Sequence, residues 1–290
     1  EITLHSAIFQ DLARCHRHLE FTVSAVESTA ELADFLRLIQ SESSVVAGFG
    51  HDLWAQLGQE MPPELKPFTD IGGAKSTQAD LWVWIAADNH SIALDLAMAV
   101  TASLKGVAEL LLDLDGQQYH QSRDRSGFED GTGNPKAEDA RRAAALIPEG
   151  AIGAGGSYVL TQQWQHKLSA FHKLPNAEQE DVIGRTKEES IELEGDAMPA
   201  NSHVSRTDVK VGDVAQKVWR RSVPWGGVKE NGLYFVGFAC ELSRLEIQLE
   251  RMYGLTEDGV IDRLTEFSTA IRSSWWYMPG PEGLAKLNAE

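Results

Sequence analysis

The sequence predicts an α+β protein made of two similar units, each running strand, helix, strand, strand, helix, strand. Two observations carry this expectation. Apolar runs of strand length alternate with apolar residues at helical spacing, and the order restarts after a glycine-rich loop at residues 127–135. A hydrophobic content of 42% and a charged content of 24% are ordinary for a globular chain, and 290 residues suffice for one large domain or two of ordinary size.

Residues 17–26 read as a strand. Ser28, Thr29, Ala30 and Glu31 then spell a capping box ahead of Leu32, Phe35, Leu36 and Ile39, which share one helix face. Residues 44–49 are a short apolar run closed by glycine, and Trp82, Val83, Trp84 and Ile85 make 80–87 strongly strand-like. Asn89 is placed to cap a helix over 90–104 that buries Ile92, Leu96 and Val100, and residues 107–119 return to extended chain. In the second unit, 156–165 is expected as a strand, 164–171 and 176–184 as helices, and 218–223 and 232–242 as strands. Ser243 to Glu246 gives a second capping-box pattern, opening a helix with Leu245, Leu249 and Met252 on one face, and a last helix is expected over 260–271. Together these describe a duplicated ferredoxin-like fold, two antiparallel sheets with peripheral helices, divided into residues 1–125 and 126–290.

Charge and cysteine content narrow the function classes. With 26 basic against 43 acidic side chains the net charge is −17, a field that repels nucleic acid and anionic membranes. Cys15 and Cys240 are the only cysteines, so a disulfide framework, a structural zinc site and an iron–sulfur cluster lack support. No stretch has the ~20 apolar residues of a membrane span, and Glu1 opens onto mixed sequence without a signal-like apolar run. These features predict the cytoplasm; the chain starts without Met, so processing of the native terminus stays open.

The loop Gly127-Phe128-Glu129-Asp130-Gly131-Thr132-Gly133-Asn134-Pro135 concentrates glycines, a turn-forming Asn-Pro and two carboxylates. Glycine permits positive φ and close approach to the main chain, which suits a loop that holds an acid in place. Gly127 to Gly131 resembles the GxxDG signature of the dye-decolourising haem peroxidases. Three further segments agree in order: Ile183-Gly184-Arg185-Thr186-Lys187 is similar to a haem-edge motif, Ser202-His203-Val204-Ser205-Arg206 to the segment of the haem-ligating histidine, and Trp219 to Gly226 to the segment of the distal arginine. The pattern is most similar to the bacterial B-type branch of that family.

The resemblance implies haem b as cofactor, His203 as the axial metal ligand, and a peroxidase that uses hydrogen peroxide to oxidise dyes, phenols and other small reductants through high-valent iron. One neutral imidazole leaves the opposite iron position open for peroxide. Asp130 is the expected carrier of the proton from the near to the far peroxide oxygen, and Arg220 the stabiliser of charge on the departing oxygen. Ser222 joins Arg220, because alternate strand residues share a face. Arg185 and Arg206 are candidates for the haem propionates, since a guanidinium fork matches a carboxylate, and Asn134 for the haem edge. Phe235 or Phe238 is a candidate wall of the pocket. The acceptor for the second ring nitrogen of His203 is left between Asp262 and Glu266. Trp219 and Trp225 flank the arginine segment, but no surface oxidation site is assigned. Homo-oligomers and an enclosing protein shell are partners that the resemblance admits. The competing readings are a haem carrier or sensor of the same fold, and a hydrolase built on Glu129 and Asp130.

Overall fold

The computed structural model describes residues 8–10, 13–24, 26 and 28–287. The start at Glu1, and Ala25 within the first expected strand, lie outside them. The first unit runs β1 (Cys15–Val23), a 3-10 turn (Thr29–Leu32) with the expected Ser28 capping box, α1 (Ala33–Ser41), β2 (Val45–Phe49), α2 (His51–Gln56), β3 (Leu81–Ala87), α3 (His90–Ser103) and β4 (Ala108–Gln117). Beyond α4 (Glu138–Ala145) come β5 (Ser157–His166), α5 (Leu168–Phe171), α6 (Asn176–Ile183), α7 (His203–Thr207) and a hairpin of β6 (Lys210–Val211) and β7 (Val214–Ala215). The chain finishes with β8 (Trp219–Arg220), β9 (Val223–Gly226), β10 (Asn231–Ala239), α8 (Leu242–Met252), β11 (Ser268–Met278) and α9 (Pro281–Leu287).

The duplication is visible in the pairing. The first unit lies in the order β4-β1-β3-β2 and the second in the order β11-β5-β10-β9, with β8 and β9 both running along β10. Yet the two sheets merge: β2 meets β11 at Phe49↔Tyr277 and β4 meets β9 at Gly116↔Trp225, giving one nine-stranded sheet that closes on itself. Closure covers strand edges that would otherwise be open to foreign pairing.

Alternation along each strand divides the interior into two cores. On β1, Leu19 and Phe21 pack in the layer that holds Phe35, Leu36, Ile39 and Val100 of the helices. His16, His18 and Glu20 turn the other way, into the ring, beside Trp82, Trp84, Tyr234 and Trp276. His18 stacks on Tyr234 with ring centroids 4.2 Å apart, and neither of its ring nitrogens has a hydrogen-bond partner among the described residues. Glu20 accepts from the Tyr234 hydroxyl at 3.0 Å and from Arg272 at 2.5 Å.

Four expectations are corrected. The helix over 260–271 is a single 3-10 turn (Arg263–Glu266) followed by β11, the fourth strand of the second unit, which pairs with β5 from Ser268 to Met278. β11 is buried over most of its length, so it lacks the polar alternation that marks a half-exposed strand. The helix expected over 164–171 shrinks to α5 because β5 continues to His166. The Ser243 capping box does not form: α8 starts at Leu242, and the Ser243 N–H donates to Glu64 at 2.9 Å. In α3 the buried face is Ala93, Ala97 and Val100, while Ile92 is 49% exposed; a helix apolar all round hides its true inner face from periodicity.

Candidate active site

A cleft partly open to solvent lies mostly in the second unit. Asp130, His203, Arg220 and Arg185 all line it, together with the apolar Phe128, Phe171, Leu233 and Phe267. Groups far apart in sequence are therefore assembled in one place.

His203 is the first residue of α7. Ser202 caps that helix by accepting from the Ser205 N–H at 3.2 Å, and its side chain is fully buried. Below it passes Gly184, in the left-handed region at φ +94°, where a Cβ would come within 2.9 Å of Val204 and 3.0 Å of the Ser202 hydroxyl. Glycine is thus required for the 183–187 segment to support the histidine helix. The His203 Nδ1 donates to Asp262 Oδ2 at 2.7 Å, and Asp262, fully buried, accepts from the Leu264 N–H at 2.9 Å through its other oxygen. A carboxylate only accepts, so the proton sits on Nδ1 and Nε2 presents a lone pair for a metal. Of the two candidate acceptors the structure selects Asp262; Glu266 is exposed.

Asp130 is delivered by a tight turn. Its N–H donates to the Ser122 carbonyl at 2.9 Å, and Gly131 follows at φ +80°. Burial pushes the Asp130 carboxyl above the ordinary carboxylate range, Asp124 adds to the effect, and Arg220, the Gly131 N–H and His203 oppose it. Arg220 approaches the same turn closely, since a Cβ on Gly133 would lie 3.1 Å from its guanidinium. Ser222 is buried, accepts from the Val236 N–H at 3.4 Å, and lines a smaller cleft that shares Asp130 and Arg220 with the main one. Arg221 also borders the smaller cleft, with its guanidinium 5.9 Å from the Trp84 ring and 5.6 Å from that of Trp219.

Asn134 lines the smaller cleft beside Asp130 and Arg220. Its amide is spent on the main chain of Arg220, in a hydrogen bond each way. Arg185 lines the cleft, pairing with Glu192 and donating to the Ser190 carbonyl at 3.0 Å. Arg206 does not line it: the side chain is 2% exposed and its fork is taken by Asp258 at 2.7 and 3.0 Å, with Nε on the Arg251 carbonyl at 3.1 Å. With four of its five N–H donors committed, counting a contact to the Thr256 hydroxyl at 3.4 Å, and with its place outside the cleft, Arg206 ties α7 to α8 instead. Phe235 lines an adjoining pocket with His203, whereas Phe238 belongs to the ring interior. Asp124 and His166, which also line the cleft, were absent from the expected set. No local signal separates His166 from the other histidines of the sequence.

Known proteins resemble this chain along almost its whole length. The family model described as Dyp-type peroxidase, C-terminal, matches residues 121–282, and its N-terminal counterpart matches 3–116. A dye-decolorizing peroxidase of Rhodococcus erythropolis is 35% identical over 244 residues, covering 81% of this chain and 72% of that protein. Among solved structures, a putative dyp-type peroxidase of Shewanella oneidensis superposes with a TM-score of 0.90 at 27% identity, covering 96% of both chains. A DypB variant of Rhodococcus jostii RHA1 in complex with heme gives 0.88 at 30% identity, over 95% of this chain and 96% of that one. The chain belongs to the Dyp-type peroxidase family.

Proposed function

We propose that the protein is a haem b peroxidase that reduces hydrogen peroxide at the expense of small reductants such as dyes and phenols. The observation that carries this is the meeting of His203, Asp130 and Arg220 in one cleft with largely apolar walls. His203 offers a single nitrogen with its other nitrogen fastened to a buried carboxylate. Among the described residues no group of three His, Cys, Asp or Glu could hold a metal ion, so a metal at His203 has to bring its other ligands with it, as haem iron does. The fit is chemical as well: aromatic walls suit a porphyrin face, and Arg185 at the cleft is the nearest match for a propionate.

Bound there, haem supplies the redox chemistry that cleaves the peroxide bond and draws electrons from donors. The chain supplies the rest. Asp262 holds His203 in one orientation and raises its basicity. Asp130, once ionised, takes the proton from the near oxygen and returns it to the far one. Arg220 stabilises the charge that gathers on the leaving oxygen, and Ser222 shares its recess. We assign most of the pocket to the half spanning residues 126–290, with 1–125 contributing Asp124 and completing the ring.

No helix of the described residues is long and apolar enough to cross a membrane. Cys15 and Cys240, both buried and unpaired, fit a reducing compartment such as the cytoplasm. Ile92, Leu94 and Met98 of α3, with Leu110 and Leu111 of β4, are exposed and favour a homo-oligomer.

The test is an absorption spectrum of the purified protein with haemin. A Soret band that disappears in His203→Ala, with rapid spectral change on stoichiometric peroxide, is expected; a protein that ignores haemin overturns the reading.

A further inference from the structure

The cleft holds a second acid–imidazole pair, which peroxide chemistry at Asp130 does not use. His166, the last residue of β5, places Nε2 3.0 Å from Asp124 Oδ1 and Nδ1 2.7 Å from the Ser268 hydroxyl of β11. Both side chains are almost sealed, at 11% and 13% exposure. Asp124 is also the pivot of the turn that carries Asp130. Its N–H donates to the Phe128 carbonyl at 2.8 Å, its carbonyl accepts from Gly127 at 2.9 Å, and its Oδ2 accepts from the Ser126 N–H at 2.9 Å.

The turn therefore brings two buried carboxyls into mutual range, and two like charges in one site cannot both ionise freely. Asp124 is felt at Asp130 as a repulsive charge. Burial by itself pushes Asp124 upward, but the hydrogen bond and charge of His166, helped by Ser126, hold it down to about 2. The other charged groups facing the turn are Arg220 from β8, His203 from α7, Arg123 on the Gly127 carbonyl at 2.8 Å, His172 through the Ser126 carbonyl, and Lys187 over the Phe128 ring.

We propose that Asp124 and His166 are a positioning pair: His166 clamps the turn and balances the charge on Asp124, leaving Asp130 as the one member of the two carboxyls that exchanges a proton. Only the consequence for turnover rests on the peroxidase reading. The pair itself is testable without haem.

The experiment is a pH titration of the haem-free protein followed by carboxyl 13C NMR with labelled aspartate, assigned with Asp124→Asn and Asp130→Asn. In the wild type Asp130 titrates while Asp124 stays ionised. Asp124→Asn, which keeps the turn's shape, moves the Asp130 midpoint down by removing a like charge. His166→Leu strips Asp124 of its partner, so Asp124 enters the same titration and the coupled steps move up. His166→Gln keeps a donor for Asp124 and gives a smaller displacement in the same sense, and it serves if the leucine variant does not fold. Superimposable Asp130 curves in all variants, or an Asp124 that titrates beside Asp130 in the wild type, overturn the proposal. With haem added, the acid limb of the peroxide rate follows the same displacements, about tenfold in rate per pH unit. Should the carboxyls behave as described in a chain that never takes up haem, the peroxidase reading fails and the pairing stands.

Discussion

Asn134 and Arg220 are fastened to each other through the main chain: the Asn134 amide donates to the Arg220 carbonyl and accepts from the Arg220 N–H, both at 2.9 Å. The loop of the acid and the strand of the guanidinium are thereby held in register across 86 residues of sequence. Asn134→Ala should slow the reaction with peroxide by about 100-fold, the scale expected when catalytic groups slip by ~1 Å. Stopped-flow rates with stoichiometric peroxide measure this. An unchanged rate means that the Gly237↔Arg220 pairing with β10 positions the arginine unaided.

Asp262→Ala should weaken haem binding about 10- to 100-fold, because the His203 imidazole loses the carboxylate that orients it. Glu266→Ala should leave affinity as it is, since that side chain is exposed. Haemin titration at the Soret band separates the two variants.

Replacing Asp130 trades activity for stability. Its folded-state pKa is raised, chiefly by burial, so above that pKa the ionised form costs the folded state free energy that the unfolded chain does not bear. Asp130→Asn should therefore raise the urea midpoint at pH 7 while slowing peroxide turnover by about 10²- to 10⁴-fold. The gain should vanish below about pH 4, where the carboxyl is protonated in both states. A variant less stable than the parent at pH 7 contradicts the assignment of a strained carboxylate.

The histidines inside the ring predict acid sensitivity. Burial lowers His16 to about 4, against a hydrogen bond to the Ala13 carbonyl, and also lowers His18 well below its ordinary value. Depressed histidines make the unfolded chain bind more protons, so stability is full above about pH 6.5 and falls as pH drops below it, by about 1.4 kcal/mol per pH unit for each group. Urea midpoints between pH 7.5 and 5 test this. His18→Phe should flatten the curve, and an equally steep curve in that variant places the sensitivity elsewhere.

What could be read from sequence follows from what is local. Asp130, His203 and Arg220 sit in short contiguous motifs that resemble those of the family, and the first unit's strands and Ser28 cap are set by neighbours in the chain. Asn134 could be seen as a turn former, but its pairing with Arg220 depends on folding. His166 is one of 9 histidines, and nothing local distinguishes it from the rest. β11 failed for a related reason: strands buried on both faces lose the alternation that identifies them. Arg206 shows the limit of proximity, since three residues from His203 along a helix is far enough to face a different carboxylate.

The sheet's closure also decides how a flat prosthetic group gets in. With the seams at Phe49↔Tyr277 and Gly116↔Trp225 both shut, and Trp84 and Tyr234 from different halves sharing one core, the halves do not part like the valves of a shell. The cleft instead opens outside the ring, beside α7 and the 183–185 segment, so a group that reaches it leaves the seams of the barrel untouched.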